Sequence, residues 1–223
     1  QAFGINKLNE EKAVNGSLGV TASFGAFTAT VDGYFINVKD RIVLTGYFDA
    51  SALNLGVSAA QFFTNGVDTK TAGVDVVLAW KKKFGDSNLS ANLVGNINHM
   101  TIGDVKNGTL DKETFFGERE KAFLLASAPA NKFGLNLNYD KKWFNAGLAF
   151  TRFSKVELLD YQMYEDVADY GSFADQIKAA TDTYSAKIVT DLTLGFKLNK
   201  ASKLSIGANN LFNKYPTPQF DGW

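Results

Sequence analysis

Apolar and polar residues alternate with a period of two along most of this chain. Leu18, Val20, Ala22 and Phe24 interleave with Gly19, Thr21 and Ser23, and Phe27, Ala29 and Val31 interleave with Thr28, Thr30 and Asp32. The pattern returns at Val74–Trp80, Leu89–Asn98, Leu135–Asp140, Phe144–Phe150, Asp191–Leu198 and Leu204–Ala208. A period of two sorts residues onto the two faces of an extended strand. The chain is therefore expected to form eight strands, each with one apolar and one polar face.

The connections sharpen this. Four are short, at Gly25–Ala26, Gly85–Ser87, Lys141–Lys142 and Asn199–Ser202, and three are long, at Asp49–Ala59, Gly103–Glu118 and Glu157–Asp182. They alternate strictly, as in an up-and-down membrane barrel with tight periplasmic turns and long outer loops. A Greek-key sandwich has no reason for that regularity. Phe27 to Phe48 reads as one extended run with a kink near Lys39–Arg41. At about 3.3 Å per residue it reaches roughly 70 Å, whereas about 9–11 tilted residues cross a membrane. The excess predicts a wall standing above the outer surface. Aromatics gather beside the short turns: Phe24 with Phe27, Trp80 with Phe84, and Tyr139 with Trp143 and Phe144. An interfacial girdle has this arrangement. The expected fold class is thus all-β, an antiparallel up-and-down transmembrane β-barrel segment. A soluble sheet with one wet face shares the alternation, but not the ordered connections, the strand length or the turn-side rings.

Composition agrees and excludes. Among 223 residues, Lys+Arg and Asp+Glu both total 23, so the basic excess of a general nucleic-acid binder is missing. There is no cysteine, which removes disulfides, thiolate metal sites and a cysteine nucleophile. The most apolar stretch, Val74–Trp80, is interrupted by Asp75, and no run approaches the roughly 18 residues of a membrane helix. Barrel strands alternate and are not excluded by that. No signal peptide or initiating Met opens the chain, which starts at Gln1 as if cut from something longer.

Three segments carry a family resemblance. EKAVNGSLGV…FTATVDGYFINVKDRIVLTG (Glu11 to Gly46), FFTNGVDTKTAGVDVVLAW (Phe62 to Trp80) and VTDLTLGFKLNKASKLSIGANNLFNKYP (Val189 to Pro216) resemble barrel segments of TonB-dependent receptors. NNLFNKYP, Asn209 to Pro216, is the most specific of them. The resemblance implies a barrel of about 22 antiparallel strands around an N-terminal plug. It also implies uptake of a scarce ligand (an iron-siderophore, haem, cobalamin or a glycan) driven by the TonB complex through a box ahead of the plug. The location implied is the bacterial cell outer membrane, with membrane lipid and lipopolysaccharide as surroundings. No plug precedes Gln1, and PTPQFDGW after NNLFNKY reads as loop. Residues 1–223 are therefore expected to be a partial barrel domain, eight of the last nine strands without the closing one.

Catalytic chemistry finds little support. HExxH, GxSxG and phosphate-loop patterns are absent, and neither an enzyme activity nor a cofactor is expected. The single histidine, His99, has no neighbouring ligand set for a metal. Asp104, Asn107, Asp111 and Glu113 form an acidic loop that suggests calcium, but Lys106 and Lys112 break the ligand spacing, so a solvated loop is expected. Asp40–Arg41 and Glu118–Arg119–Glu120 read as wall salt bridges.

Ligand contact is expected from outer-loop aromatics: Phe62, Phe63, Phe115, Phe116, Tyr161, Tyr164, Tyr170 and Phe173. Such rings stack on sugars or aromatic chelators; packing of loop on loop is the competing use. Asp160, Glu165, Asp166 and Asp169 make the longest loop acidic, and Ser172–Thr181 predicts a short helix within it. Arg152 has lipid-facing parity high on its strand, where contact with lipopolysaccharide phosphates is expected and a salt bridge in the lumen is the competing use. A passive porin-like or structural barrel is the alternative to active import, and a soluble β-rich binding domain stands third.

Overall fold

The computed structural model describes residues 7–51, 56–127, 129–159 and 171–218. Its strands are β1 (Lys12–Phe24), β2 (Phe27–Leu44), β3 (Phe48–Asp49), β4 (Ala59–Ala60), β5 (Phe63–Phe84), β6 (Ser87–Val105), β7 (Asn131–Lys141), β8 (Phe144–Phe153), β9 (Val156–Leu159), β10 (Thr181–Tyr184), β11 (Lys187–Lys197) and β12 (Lys203–Ala208). The helices are α1 (Lys112–Phe116), α2 (Glu118–Ala126) and α3 (Phe173–Ala179). Eight strands form one sheet in the order β1-β2-β5-β6-β7-β8-β11-β12, and two small hairpins, β3-β4 and β9-β10, sit in the long connections. Every ladder is antiparallel. The short turns therefore share one end of the sheet and the long connections the other.

The turns follow from glycine. Gly25 and Gly85 each open a two-residue turn at φ +59° and +55°. A left-handed first position matches the II′ geometry that continues the twist of a hairpin. The second turn is Gly85–Asp86, because Ser87 already pairs with Phe84.

Register sorts the side chains. One face carries Phe24, Phe27 and Trp80 in line, then Ala29, Leu78 and Leu93, with Leu135, Leu137, Leu148, Leu192 and Leu194 further round. The other carries Asp32, Asp75 and Asn96 in line, with Asn92, Asn136, Asn138 and Asp191. The aromatic girdle is real: Phe27 and Trp80 have ring centroids 6.1 Å apart, Trp143 and Phe144 5.6 Å, and Phe144 and Phe196 5.2 Å.

The long run expected to Phe48 stops at Leu44, and the longest strand is β5 with 22 residues. The kink near Lys39–Arg41 is a bulge: pairing passes from Val38↔Thr69 to Arg41↔Val67, with Asp40 at φ +58°. The expected loop from Gly103 to Glu118 is replaced by the end of β6 at Val105 and by α1 and α2. The helix expected over Ser172–Thr181 is α3, capped by Ser172.

Candidate functional site

Above the girdle the sheet carries a small apolar core of its own. Val43, Phe48, Val67, Phe115 and Phe116 are buried together, and Phe62, Ile102, Val105, Leu110 and Leu124 pack against them. Val67 and Val105 face each other across β5 and β6 two residues beyond Thr69, on the polar face of the sheet. The connection carrying α1 and α2 thus folds inward over the wall. Burying one phenylalanine there contributes roughly 1.5–3 kcal/mol, enough to hold a short helix that would not form alone.

Polar clamps fix this cap. Asp111 accepts from Thr114 N at 2.8 Å and from Thr114 Oγ1 at 2.9 Å, closing the start of α1. That backbone bond holds the Asp111 carboxyl below the usual aspartate range. Glu120 accepts from Gly117 N at 3.1 Å at the start of α2. Lys106 anchors the connection to the bulge, pairing with Asp40 and, at 2.7 Å, with Asp68. Asp68 also accepts from Asp40 N at 2.9 Å. The Lys106 ammonium beside it lowers the Asp68 carboxyl, and the two carboxylates raise Lys106.

The sheet's polar face holds a connected network. Asn96 Nδ2 donates to Asp75 Oδ1 at 2.7 Å and to Tyr34 Oη at 3.0 Å, while Asn98 Nδ2 donates to Asn96 Oδ1 at 2.9 Å and to Pro129 O at 3.2 Å. Further round, Asn136, Asn138, Asp140, Asn145, Asp191 and Thr193 line a hollow of about 350 Å³. A face of this kind suits a wet lumen, where amides and carboxylates keep hydration or meet polar solute.

The aromatics expected to contact ligand separate into groups. Phe115 and Phe116, 3% and 1% exposed, are the centre of the cap core and present no free ring. Phe62 packs on that core, its ring 6.0 Å from Phe48. Phe63 is 63% exposed and pairs with Leu44 on the outward side of the wall. Phe173, 52% exposed at the start of α3, lines a hollow of about 290 Å³ with Tyr47, Glu113, Glu118, Arg119 and Leu159. Sequence reasoning did not single out Tyr47, which sits just beyond the end of β2 in a stretch without alternation. Tyr161, Tyr164 and Tyr170 lie outside the described residues, as do Asp160, Glu165, Asp166 and Asp169.

The charged candidates resolve too. Among the described residues no group of three or more His, Cys, Asp or Glu is placed to hold a metal ion. Asn107 Nδ2 donates to Leu110 O within the connection. Asp40 pairs with Lys106 rather than with Arg41, whose Nη1 reaches Thr69 Oγ1 at 3.3 Å. Arg119 meets Glu120 at 3.5 Å and Glu118 meets Lys121 at 2.6 Å. His99 pairs with Ala72 on the outward face. Arg152 is outward as well, opposite Phe133 and Ile188, and donates to Asn131 Oδ1 at 2.7 Å.

Comparison with known proteins places this architecture. No curated protein matches the chain. Among solved structures, the outer membrane transporter YddB from Escherichia coli is 12% identical with a TM-score of 0.62, covering 94% of this chain and 30% of its own. The FrpB iron transporter from Neisseria meningitidis is 17% identical with a TM-score of 0.60, covering 94% of this chain and 28% of its own. The pyoverdine receptor FpvA from Pseudomonas aeruginosa PAO1 is 13% identical with a TM-score of 0.56, covering 94% of this chain and 26% of its own. The chain thus spans less than a third of each of these structures, and the likeness is one of fold. The family model described as TonB dependent receptor-like, beta-barrel matches residues 1–211. With its meander of eight strands, apolar outside and polar inside, the chain belongs to the TonB-dependent receptor-like β-barrel family.

Proposed function

We propose that this chain is wall of a bacterial outer-membrane receptor that imports a scarce nutrient with energy supplied by the TonB complex. The observation that carries the reading is the two-faced sheet, with its apolar band and girdle outside and its amide and carboxylate network inside, in a chain of this receptor family. A wall of this kind needs lipid on one side and a wet passage on the other. Transport, not catalysis, is what such a wall serves.

Among the described residues the sheet has two open edges, β1 and β12. Unpaired backbone groups are costly in lipid, so the working protein supplies further strands to both edges. A plug and a TonB-contact segment elsewhere in that protein complete the reading. The cargo class is a chelated metal, haem, cobalamin or a glycan. Solved structures resembling the chain include an iron transporter, a pyoverdine receptor and a copper transporter, which makes metal limitation the first condition to test. Among the ligand-contact aromatics, exposure supports Phe173, with Tyr47 beside it.

The test is growth and uptake. Deleting the receptor gene should abolish growth on one defined source among siderophore iron, haem, cobalamin and glycans, and inactivating TonB should do the same. Uptake that survives loss of TonB sinks active import and leaves a passive barrel.

A further inference from the structure

On β1, β2 and β5 the outward rows that rise from the girdle reach lysine on the loop side, and above them the outward face continues in Leu44 and Phe63. Along β1 its outward positions run Phe24, Ala22, Val20, Leu18, Gly16 and Val14, then Lys12. Along β2 they run Phe27, Ala29, Val31, Gly33, Phe35 and Asn37, then Lys39; along β5, Trp80, Leu78, Val76, Val74 and Ala72, then Lys70. No charge interrupts these rows between the girdle and the three lysines. Lys12 and Lys39 are directly opposed across the ladder, and Lys70 is opposed to Asn37, one outward position from Lys39. All three are exposed.

Like charges directly opposite one another destabilise a ladder. The usual relief is a carboxylate, yet none of the ion pairs among the described residues includes Lys12, Lys39 or Lys70. The nearby Asp40 and Asp68 are both engaged by Lys106, and Asp68 feels Lys39 only through space. The neighbouring Glu11 accepts from Ile42 N at 2.6 Å. Height fixes the surroundings of the trio. β1 has 13 residues, which at about 3.3 Å per residue and a tilt of about 45° lift Lys12 roughly 28 Å above Phe24. An outward apolar band is about 25 Å tall, so Lys12, and Lys39 opposite it, stand at the level of the outer-leaflet headgroups, with Lys70 at the upper margin of the band, roughly 23 Å above Trp80.

The geometry points to a phosphate-binding site made by Lys12, Lys39 and Lys70 on the lipid side of the wall, its ligand the phosphate groups of lipopolysaccharide. Three flexible ammonium groups on adjacent strands suit a phosphate approached from the membrane plane. The bound anion would relieve the repulsion between Lys12 and Lys39 and fix the depth of this part of the wall. The proposal rests on the outer-membrane reading.

The experiment uses the full-length receptor extracted from outer membranes in mild detergent, with K12Q/K39Q/K70Q as the variant and K82Q as a control cation at the opposite margin. Native mass spectrometry counts retained lipopolysaccharide, and delipidated protein is then rebound to vesicles carrying phosphorylated or dephosphorylated lipopolysaccharide. Retention should fall about fivefold per lysine removed, with dephosphorylated lipid binding the native receptor as weakly as intact lipid binds the triple variant. K82Q should match the native receptor. Equal retention by the triple variant overturns the site. So does release by millimolar inorganic phosphate alone, which would mark a free-anion site, or retention of periplasmic-leaflet phospholipid instead. Heat-dependent gel mobility separates the two failures: a native receptor without it sinks the barrel reading, whereas a triple variant that keeps both mobility and lipid sinks only the lysine site.

Discussion

The ring of Tyr34 lies across the α-carbon of Gly73, its directly opposed partner on the neighbouring strand. A methyl group at Gly73 would stand 2.3 Å from Tyr34 Cζ and 2.4 Å from its hydroxyl. The ring cannot simply swing away, because Asn96 donates to that hydroxyl at 3.0 Å within the network that includes Asp75. Gly73→Ala should therefore destabilise the wall by about 1–3 kcal/mol, the usual cost of overpacking. Gly16→Ala, where a methyl group meets nothing within 4 Å, should be neutral or mildly stabilising. The temperature at which the detergent-solubilised full-length receptor loses compact gel mobility reads both. In a double-mutant cycle, Tyr34→Ala should remove most of the Gly73→Ala penalty; strict additivity would show that the ring does not cause it.

The NNLF turn is held from the sheet. Asn210 sits at φ +50°, its amide donates to Asp191 Oδ1 at 2.7 Å, and its side chain bridges Lys214 N at 2.8 Å and Lys214 O at 3.1 Å. Leu211 N donates to Thr190 O at 2.7 Å. Asparagine is among the few residues that combine a left-handed backbone with a side chain able to close the loop. Asn210→Ala loses both properties, and Asn210→Gly loses only the side-chain bonds. Hydrogen exchange at Lys214 should accelerate in both, and at Leu211 more in the alanine variant. Equal exchange in native and alanine proteins would remove Asn210 as the organiser of the turn.

These elements differ in how far the chain declared them. The sheet was legible because alternation and two-residue turns are local, and the glycines at Gly25 and Gly85 mark where a left-handed residue is required. The bulge showed itself as a charged interruption, Lys39–Arg41, in an extended run. The cap was not legible. Helices of 5 and 9 residues are too short to be set by their own propensity, and Gly117 between them reads as a break. Phe115 and Phe116 are plain as aromatics, but only the inward fold of the connection decides that they meet Val43 and Val67 instead of solvent. The expected loop ligands were thus drawn from a set in which exposed and buried rings look alike.

The Lys106 clamp gives the cap a pH dependence. Asp68 titrates below its ordinary value when folded, so its contribution is full above about pH 4, the unfolded aspartate value, and is lost as pH falls through the lower folded one. Lys106 titrates above its ordinary value, so its contribution is full below about pH 10.4 and is lost as pH rises through the higher folded one. The connection over 106–130 should stay docked between these limits and loosen outside both. Protease cleavage within it, followed against pH, should show the acid limb in the native receptor. Asp68→Asn should cleave faster at neutral pH and show a weaker acid limb. An acid limb undiminished in that variant would place the titration elsewhere.

Phe116 and Phe173 separate packing from ligand contact. Phe116 is enclosed at the centre of the cap, so Phe116→Ala should cost about 3–5 kcal/mol locally and open 106–130 to protease. The girdle and the turn-side part of the eight-stranded sheet lie outside that core, so compact gel mobility should persist. Phe173 is half exposed beside Tyr47, and Phe173→Ala should change stability by no more than about 0.5 kcal/mol. If its ring stacks on cargo, the same substitution should weaken cargo binding by about 0.5–1.5 kcal/mol, a fall of roughly two- to tenfold. Titration of the native, Phe116→Ala and Phe173→Ala receptors with the cargo identified by growth decides this. Unchanged affinity in Phe173→Ala removes the ring from the binding surface, while loss confined to Phe116→Ala would mean that cargo reads the docked cap as a whole.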